Sequence, residues 1–108
     1  MTDDRPLNGY ADIAAVGSLL ADATRARIMW CLADGRALPA SVLASEASVA
    51  ASTASEHLSR LVAAGLLTVE HSGRHRYFRL AGPQVVTALE ALAALAPTRP
   101  VRSLREST

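Results

Sequence analysis

The 108 residues suffice for one small domain; half are hydrophobic but only 4% are aromatic, so the apolar supply is Ala, Leu and Val. Such a composition favours helices around a thin core, and a domain this small gains from burying surface against a second copy. The formal net charge of +1 excludes a uniform basic field, the single cysteine excludes an intrachain disulfide or a thiolate metal cage within one chain, and no apolar run approaches the roughly 18 residues of a membrane span.

Residues 1–9 read as a flexible arm, acidic and polar and unlike a signal peptide, which points to a cytoplasmic protein. Tyr10 to Leu20 has the spacing of a first helix, with Ile13, Val16, Leu19 and Leu20 on one stripe. Asp22 is a good N-cap for a second helix over Ala23–Ala33, placing Ile28, Leu32 and either Met29 or Trp30 against neighbours. Asp34-Gly35 ends it. Pro39 suits the first turn of a short third helix, about Pro39 to Glu46, with Val42 and Leu43 inward. Ala47-Ser48-Val49 forms a turn, and a fourth helix runs from about Ala51 to Ala64, where Gly65 stops it.

The period then changes. Leu67, Val69 and His71 alternate with Thr68 and Glu70, Ser72-Gly73 is a turn signal, and Arg74 to Leu80 alternates again. This is a two-stranded hairpin. Gly82-Pro83 opens a last helix, about Pro83 to Leu95, and Pro97 and Pro100 end it. The domain is therefore expected over residues 10–96, with residues 97–108 a flexible tail or linker. The fold class is mainly α with a small β-hairpin, in the order α-α-α-α-β-β-α.

Three helices, a tight turn, a helix and a hairpin make a helix-turn-helix followed by a wing. The charge follows the same division: residues 1–55 hold four Arg and six acidic residues, whereas residues 56–108 hold seven Arg and four Glu. There is no lysine; arginine suits forked contacts to phosphate, although GC-rich codon usage explains the bias more simply. The fourth helix carries Ala54, Leu58, Leu61 and Val62 on one side and Ser52, Thr53, Glu56, Ser59 and Arg60 on the other. A surface helix usually bears long charged chains on its outer side. Short hydroxyl groups instead allow close approach to base edges in the major groove.

Ser52 and Thr53 are thus the first candidates for DNA contact, with Ser55 nearer the flank. Glu56 can accept from cytosine N4 or simply face solvent, and Arg60 can meet phosphate. His57 sits to one side and serves either packing or DNA contact. Arg74, His75 and Arg76 at the wing are placed for phosphate or the minor groove. Arg25 reads as structural, with a carboxylate as its expected partner, and Cys31 as a small core residue. His71 and His75 flank the wing turn but lack further ligands for a metal. The chain has no Gly-rich phosphate loop and no paired carboxylates in an expected cleft. Ser55 and His57, at i and i+2, do not face each other. Neither enzymatic activity nor a cofactor is expected. The alternative of a winged-helix module that binds protein would need larger apolar or aromatic anchors on the fourth helix, and this face lacks them.

Three segments also resemble one known family. Leu20-Ala21-Asp22-Ala23 with TRARIMWCL is similar to the "LxDxTRxxILxxL" segment of ArsR/SmtB-type regulators. Ser55 to Leu66 resembles their "SxHLxxLxxAGL" recognition helix, and Gly73 to Leu80 their "GRxxxYxL" wing. The resemblance spans about residues 10–96. It implies a homodimeric winged helix-turn-helix repressor that releases DNA when an effector binds, with the first and last helices forming the dimer. Ile13, Val16, Leu20, Val85, Leu89 and Leu92 are the interface candidates, and a two-fold dimer would read a near-palindromic operator. The family's metal-binding pattern resembling "ELCVCDL" aligns here with Ala37 to Leu43, where Pro39 and Ser41 replace the thiolates. Its alternative ligands on the last helix are also missing, since Pro83 to Ala96 contains no His and only Glu90 as acid. No metal site is expected, and the effector is left unassigned.

Overall fold

The structure is a computed structural model that describes residues 10–98. The arm expected at residues 1–9 and all but the first two residues of the tail lie outside the described residues. Helix α1 spans Ile13–Ala21 and is opened by Asp12, whose carboxylate accepts from the Ala15 N–H at 3.1 Å. The helix therefore starts later than the Tyr10 expected from apolar spacing, because the capping residue itself takes non-helical dihedrals. Asp22 ends α1 and caps α2, Ala23–Cys31, accepting from the Arg25 N–H at 3.0 Å. Helix α2 stops short of Ala33: the N–H groups of Leu32, Ala33 and Gly35 turn back onto the carbonyls of Met29, Trp30 and Leu32. Gly35 completes the turn at φ 87°.

A strand absent from the sequence reading follows. β1, Leu38–Pro39, pairs antiparallel with a later strand, Leu38 opposite Phe78 and Pro39 opposite Tyr77. Pro39 is thus extended, at φ −74° and ψ 157°, and is the N-cap rather than the first turn of α3, Ala40–Ala47. Proline is tolerated because β1 is an edge strand. Helix α3 ends on Ser48 at φ 58°, where the N–H groups of Ser48 and Val49 bond the carbonyls of Ser45 and Ala44. Helix α4, Ala51–Ala63, ends by the same geometry around Gly65 at φ 79°: Gly65 donates to Val62 and Leu66 to Leu61, each at 3.0 Å.

Strands β2, Leu67–Ser72, and β3, His75–Leu80, pair from Leu67 opposite Leu80 to Ser72 opposite His75. That register makes Gly73-Arg74 the turn, one residue beyond the expected Ser72-Gly73, with the positive φ taken by Gly73. The sheet order is β1-β3-β2, and α5, Pro83–Leu95, closes the chain.

The core joins Ile28, Met29 and Leu32 to Leu43, Leu58, Leu61, Leu67, Phe78, Leu80 and Leu89. In α2 the buried line is Arg25, Ile28, Met29 and, at the cap, Leu32, a spacing of i, i+3, i+4, i+7. Trp30 falls off this line and is exposed, which settles the Met29-or-Trp30 question for Met29. In α3 the inward line is Ala40, Leu43, Ala44 and Ala47, so Val42 is exposed, contrary to expectation. No helix among the described residues is long and apolar enough to cross a membrane.

Candidate nucleic-acid interface

Three fully buried residues, Ala54, Leu58 and Leu61, seat α4 against the core and fix its rotation. Ser52, Thr53, Glu56, Ser59 and Arg60 are consequently exposed along the opposite side, while Ser55 and His57 are half-buried at its margin. The N-cap of α4 is Ala50, which makes no side-chain cap hydrogen bond to the amides of the first turn. Glu56 and Arg60 lie one turn apart at 4.0 Å, an exposed pair that restrains either chain only weakly.

His57 does not share the outer face. Its side chain is 16% exposed, with Nδ1 3.2 Å from Arg25 Nη1 and Nε2 4.0 Å from Asp22 Oδ1. A guanidinium only donates, so Nδ1 accepts and the neutral ring carries its proton on Nε2, toward Asp22. Arg25, 9% exposed, also donates from Nε to the Leu19 carbonyl at 2.7 Å and from Nη2 to the Ser18 carbonyl at 3.4 Å. The side chain of Arg25 therefore holds two carbonyls and an imidazole, not the expected carboxylate. Asp22 takes the backbone N–H of Arg25 instead, and that bond holds the Asp22 carboxyl below the usual carboxylate range, aided by His57 and Arg25. The link between Arg25 and His57 was missed in the sequence, although each residue stands in a recognised motif.

At the wing, Arg74, His75 and Arg76 are all exposed. The Arg76 guanidinium lies 5.6 Å from the Phe78 ring centroid, and His75 meets Tyr77 edge to face at 6.3 Å. Arg79 pairs with Glu70 at 3.3 Å across the strands. Arg74 and Arg76 are thus the hairpin arginines without a carboxylate partner among the described residues.

The expected dimer residues differ in placement. Ile13 is 78% and Leu92 48% exposed, and Val16 is exposed too. Leu20 and Val85 are half-buried, whereas Leu89 belongs to the core of its own protomer. Val16, Leu20, Val85, Leu89 and Leu92 line, together with Met29 and Leu66, an apolar groove of about 220 Å³, to which Ile13 does not contribute. Cys31 is half-buried beside Glu46, its Sγ 4.0 Å from Oε1; burial and that carboxylate push the thiol up, away from the reactive thiolate. Among the described residues no three His, Cys, Asp or Glu side chains gather closely enough to hold a metal ion.

Residues 20–70 match the helix-turn-helix domain family. The HTH-type transcriptional regulator YdfF of Bacillus subtilis is 46% identical over 96 residues, or 89% of this chain and 42% of that protein. The chain thus spans less than half the length of that relative. The cadmium metal-sensor CmtR of Mycobacterium tuberculosis is 33% identical, with a TM-score of 0.62 over 85% of this chain and 99% of that one. The homodimeric winged helix-turn-helix DNA-binding domain of Mb0332 from Mycobacterium bovis, described as a possible ArsR-family regulator, superposes with a TM-score of 0.71 at 26% identity, covering 82% of this chain and 89% of that one. With its helix-turn-helix at α3–α4 and its wing at β2–β3, the chain belongs to the ArsR/SmtB family of winged helix-turn-helix transcriptional regulators.

Proposed function

We propose that residues 10–96 are the DNA-binding and dimerising domain of a transcriptional repressor that leaves its operator when an effector binds. One observation carries this reading: α4 is seated by buried Ala54, Leu58 and Leu61 and offers Ser52, Thr53, Glu56 and Arg60 to solvent. Ser52 and Thr53, at the helix start, approach base edges. Glu56 accepts from a cytosine amino group, Ser55 works at the flank, and Arg60 takes phosphate. Arg74, His75 and Arg76 of the wing reach phosphate or the adjoining minor groove.

Homodimerisation is supported by the apolar side chains that α1 and α5 leave uncovered, Ile13, Val16 and Leu92, beside half-buried Leu20 and Val85. Leu89 supports that surface from beneath. A two-fold dimer sets its recognition helices about 34–36 Å apart, one turn of DNA, and so reads a near-palindromic operator in the cytoplasm.

The test is fluorescence anisotropy with duplexes from the upstream region of the protein's own operon. Tight binding to one duplex that weakens steeply with salt supports the reading. Binding no tighter than to random duplex overturns it. Ser52→Ala is expected to change preference among operator variants; a uniform loss would mean that Ser52 touches only the DNA backbone. Release of a bound operator during a screen of small molecules and metal ions would identify the effector.

A further inference from the structure

We propose that Arg25 and His57 form a clamp that sets the angle of the recognition helix relative to the dimerising helix α1, making both positioning residues for operator recognition. This inference rests on the DNA-binding reading above. Its geometry involves three acceptors shared out on one guanidinium. Nε and Nη2 hold the carbonyls of Leu19 and Ser18, and Nη1 holds His57 Nδ1. The two carbonyls lie in the last turn of α1, where backbone acceptors lack helical partners and the helix dipole favours a cation. The imidazole belongs to α4, 32 residues further along the chain from Arg25. Arg25 thus joins the helix proposed to pair the protomers to the helix proposed to enter DNA.

The imidazole is hydrogen-bonded at Nδ1 and faces a carboxylate 4.0 Å away at Nε2. Arg25 faces Nδ1 and the Asp22 carboxylate faces Nε2, while Asp22 is itself held by the Arg25 backbone N–H. The buried stripe of Ala54, Leu58 and Leu61 sets the coarse rotation of α4; His57 follows Thr53 by one turn, so holding the ring limits the residual rotation of the outward residues. With side chains, a helix has a radius of about 5 Å, and a rotation of about 10° moves their tips by about 1 Å. That displacement suffices to misalign hydrogen bonds to base edges. Arg27, on the same helix but exposed, has no comparable set of partners among the described residues.

Three variants test the clamp. His57→Leu keeps bulk but removes the acceptor. His57→Asn places an amide oxygen near the position of Nδ1 and can still accept. Arg25→Lys keeps the charge but loses the planar fork that reaches both helices. Melting temperature and dimer mass are followed beside affinity for the operator, for random duplex, and for an operator with one base pair inserted between half-sites. His57→Leu and Arg25→Lys are expected to lose about tenfold or more in operator affinity and most discrimination against the insertion. Random-duplex affinity stays within about threefold, since phosphate contacts dominate it. His57→Asn returns operator affinity to within about threefold of wild type.

Unchanged operator affinity in His57→Leu and Arg25→Lys overturns the clamp, as does His57→Asn behaving like His57→Leu. Failure of the wild-type protein to prefer any duplex overturns the DNA-binding reading and takes the clamp's role with it. One measurement needs no variant and no DNA: imaging the imidazole by 15N NMR should show the neutral His57 ring protonated on Nε2 alone, and a proton on Nδ1 overturns the clamp.

Discussion

Helices α4 and α5 are each 13 residues long and both carry an apolar stripe, yet they place it differently. Helix α4 buries Ala54, Leu58 and Leu61 within its own chain and turns hydroxyl and charged groups outward. Helix α5 buries Leu89 alone and leaves Leu92 and Leu95 exposed, with exposed Val16 of α1 sharing a groove with Leu92. A completed stripe makes a rigid platform for a polar face. An uncompleted one is an apolar surface that a second copy can cover, at a size where a thin core gains most from doing so.

The largest effect should come from breaking the completed stripe. Leu61→Ala removes a fully buried side chain and is expected to cost about 2–5 kcal/mol in chemical denaturation. Leu95→Ala, measured at concentrations that keep the chain monomeric, should change stability by no more than about 0.5 kcal/mol, because Leu95 is 83% exposed. Equal losses would erase the contrast between the two helices.

Next in size is the proposed dimer face. Ile13→Glu with Leu92→Glu should raise the dimer dissociation constant by more than about tenfold in analytical ultracentrifugation while leaving the helical circular dichroism intact. A dimer of unchanged strength would place the interface elsewhere. A smaller, graded effect is expected at the wing. Arg74→Ala with Arg76→Ala should weaken binding to all duplexes alike and flatten the salt dependence by about one unit per lost phosphate contact. An unchanged slope would remove the wing from the interface.

The smallest effect concerns Asp22, which links α1, α2 and α4. Its carboxyl is held low chiefly by the Arg25 N–H, so the charged form favours the folded state. That stabilisation is present above the ordinary aspartate range near about pH 4 and is lost as pH falls through the lower folded value. Asp22→Asn keeps a capping oxygen without the charge. Wild-type melting temperature should therefore fall more steeply than that of Asp22→Asn as pH drops below about 4; parallel curves would show that the bond does not select the charged form.

Much of the fold was legible because it is written in local spacing. The helix-turn-helix follows from the period of α3 and α4 and the stop at Gly65, and the hairpin from the change to alternation at Leu67. The exposed face of α4 was equally readable, since the buried positions of a helix determine which residues remain outside. The errors have physical causes as well. Pro39 has dihedrals that suit either a helix start or an edge strand, and only its pairing with Tyr77 decides between them. Ser48 adopts a left-handed conformation that usually signals glycine, yet the turn expected at Ala47-Ser48-Val49 is present, with α3 ending at Ala47.

By itself, then, the sequence determined the order of helices and strands, the apolar stripes and the basic turn, because each depends on neighbours a few residues apart. Tertiary structure decided that Met29 rather than Trp30 enters the core, that β1 joins the sheet, and that His57 turns inward to Arg25 rather than outward with Ser52 and Thr53. These outcomes depend on groups distant in the chain meeting in space, where burial and hydrogen-bond geometry select among side chains that spacing alone leaves equivalent.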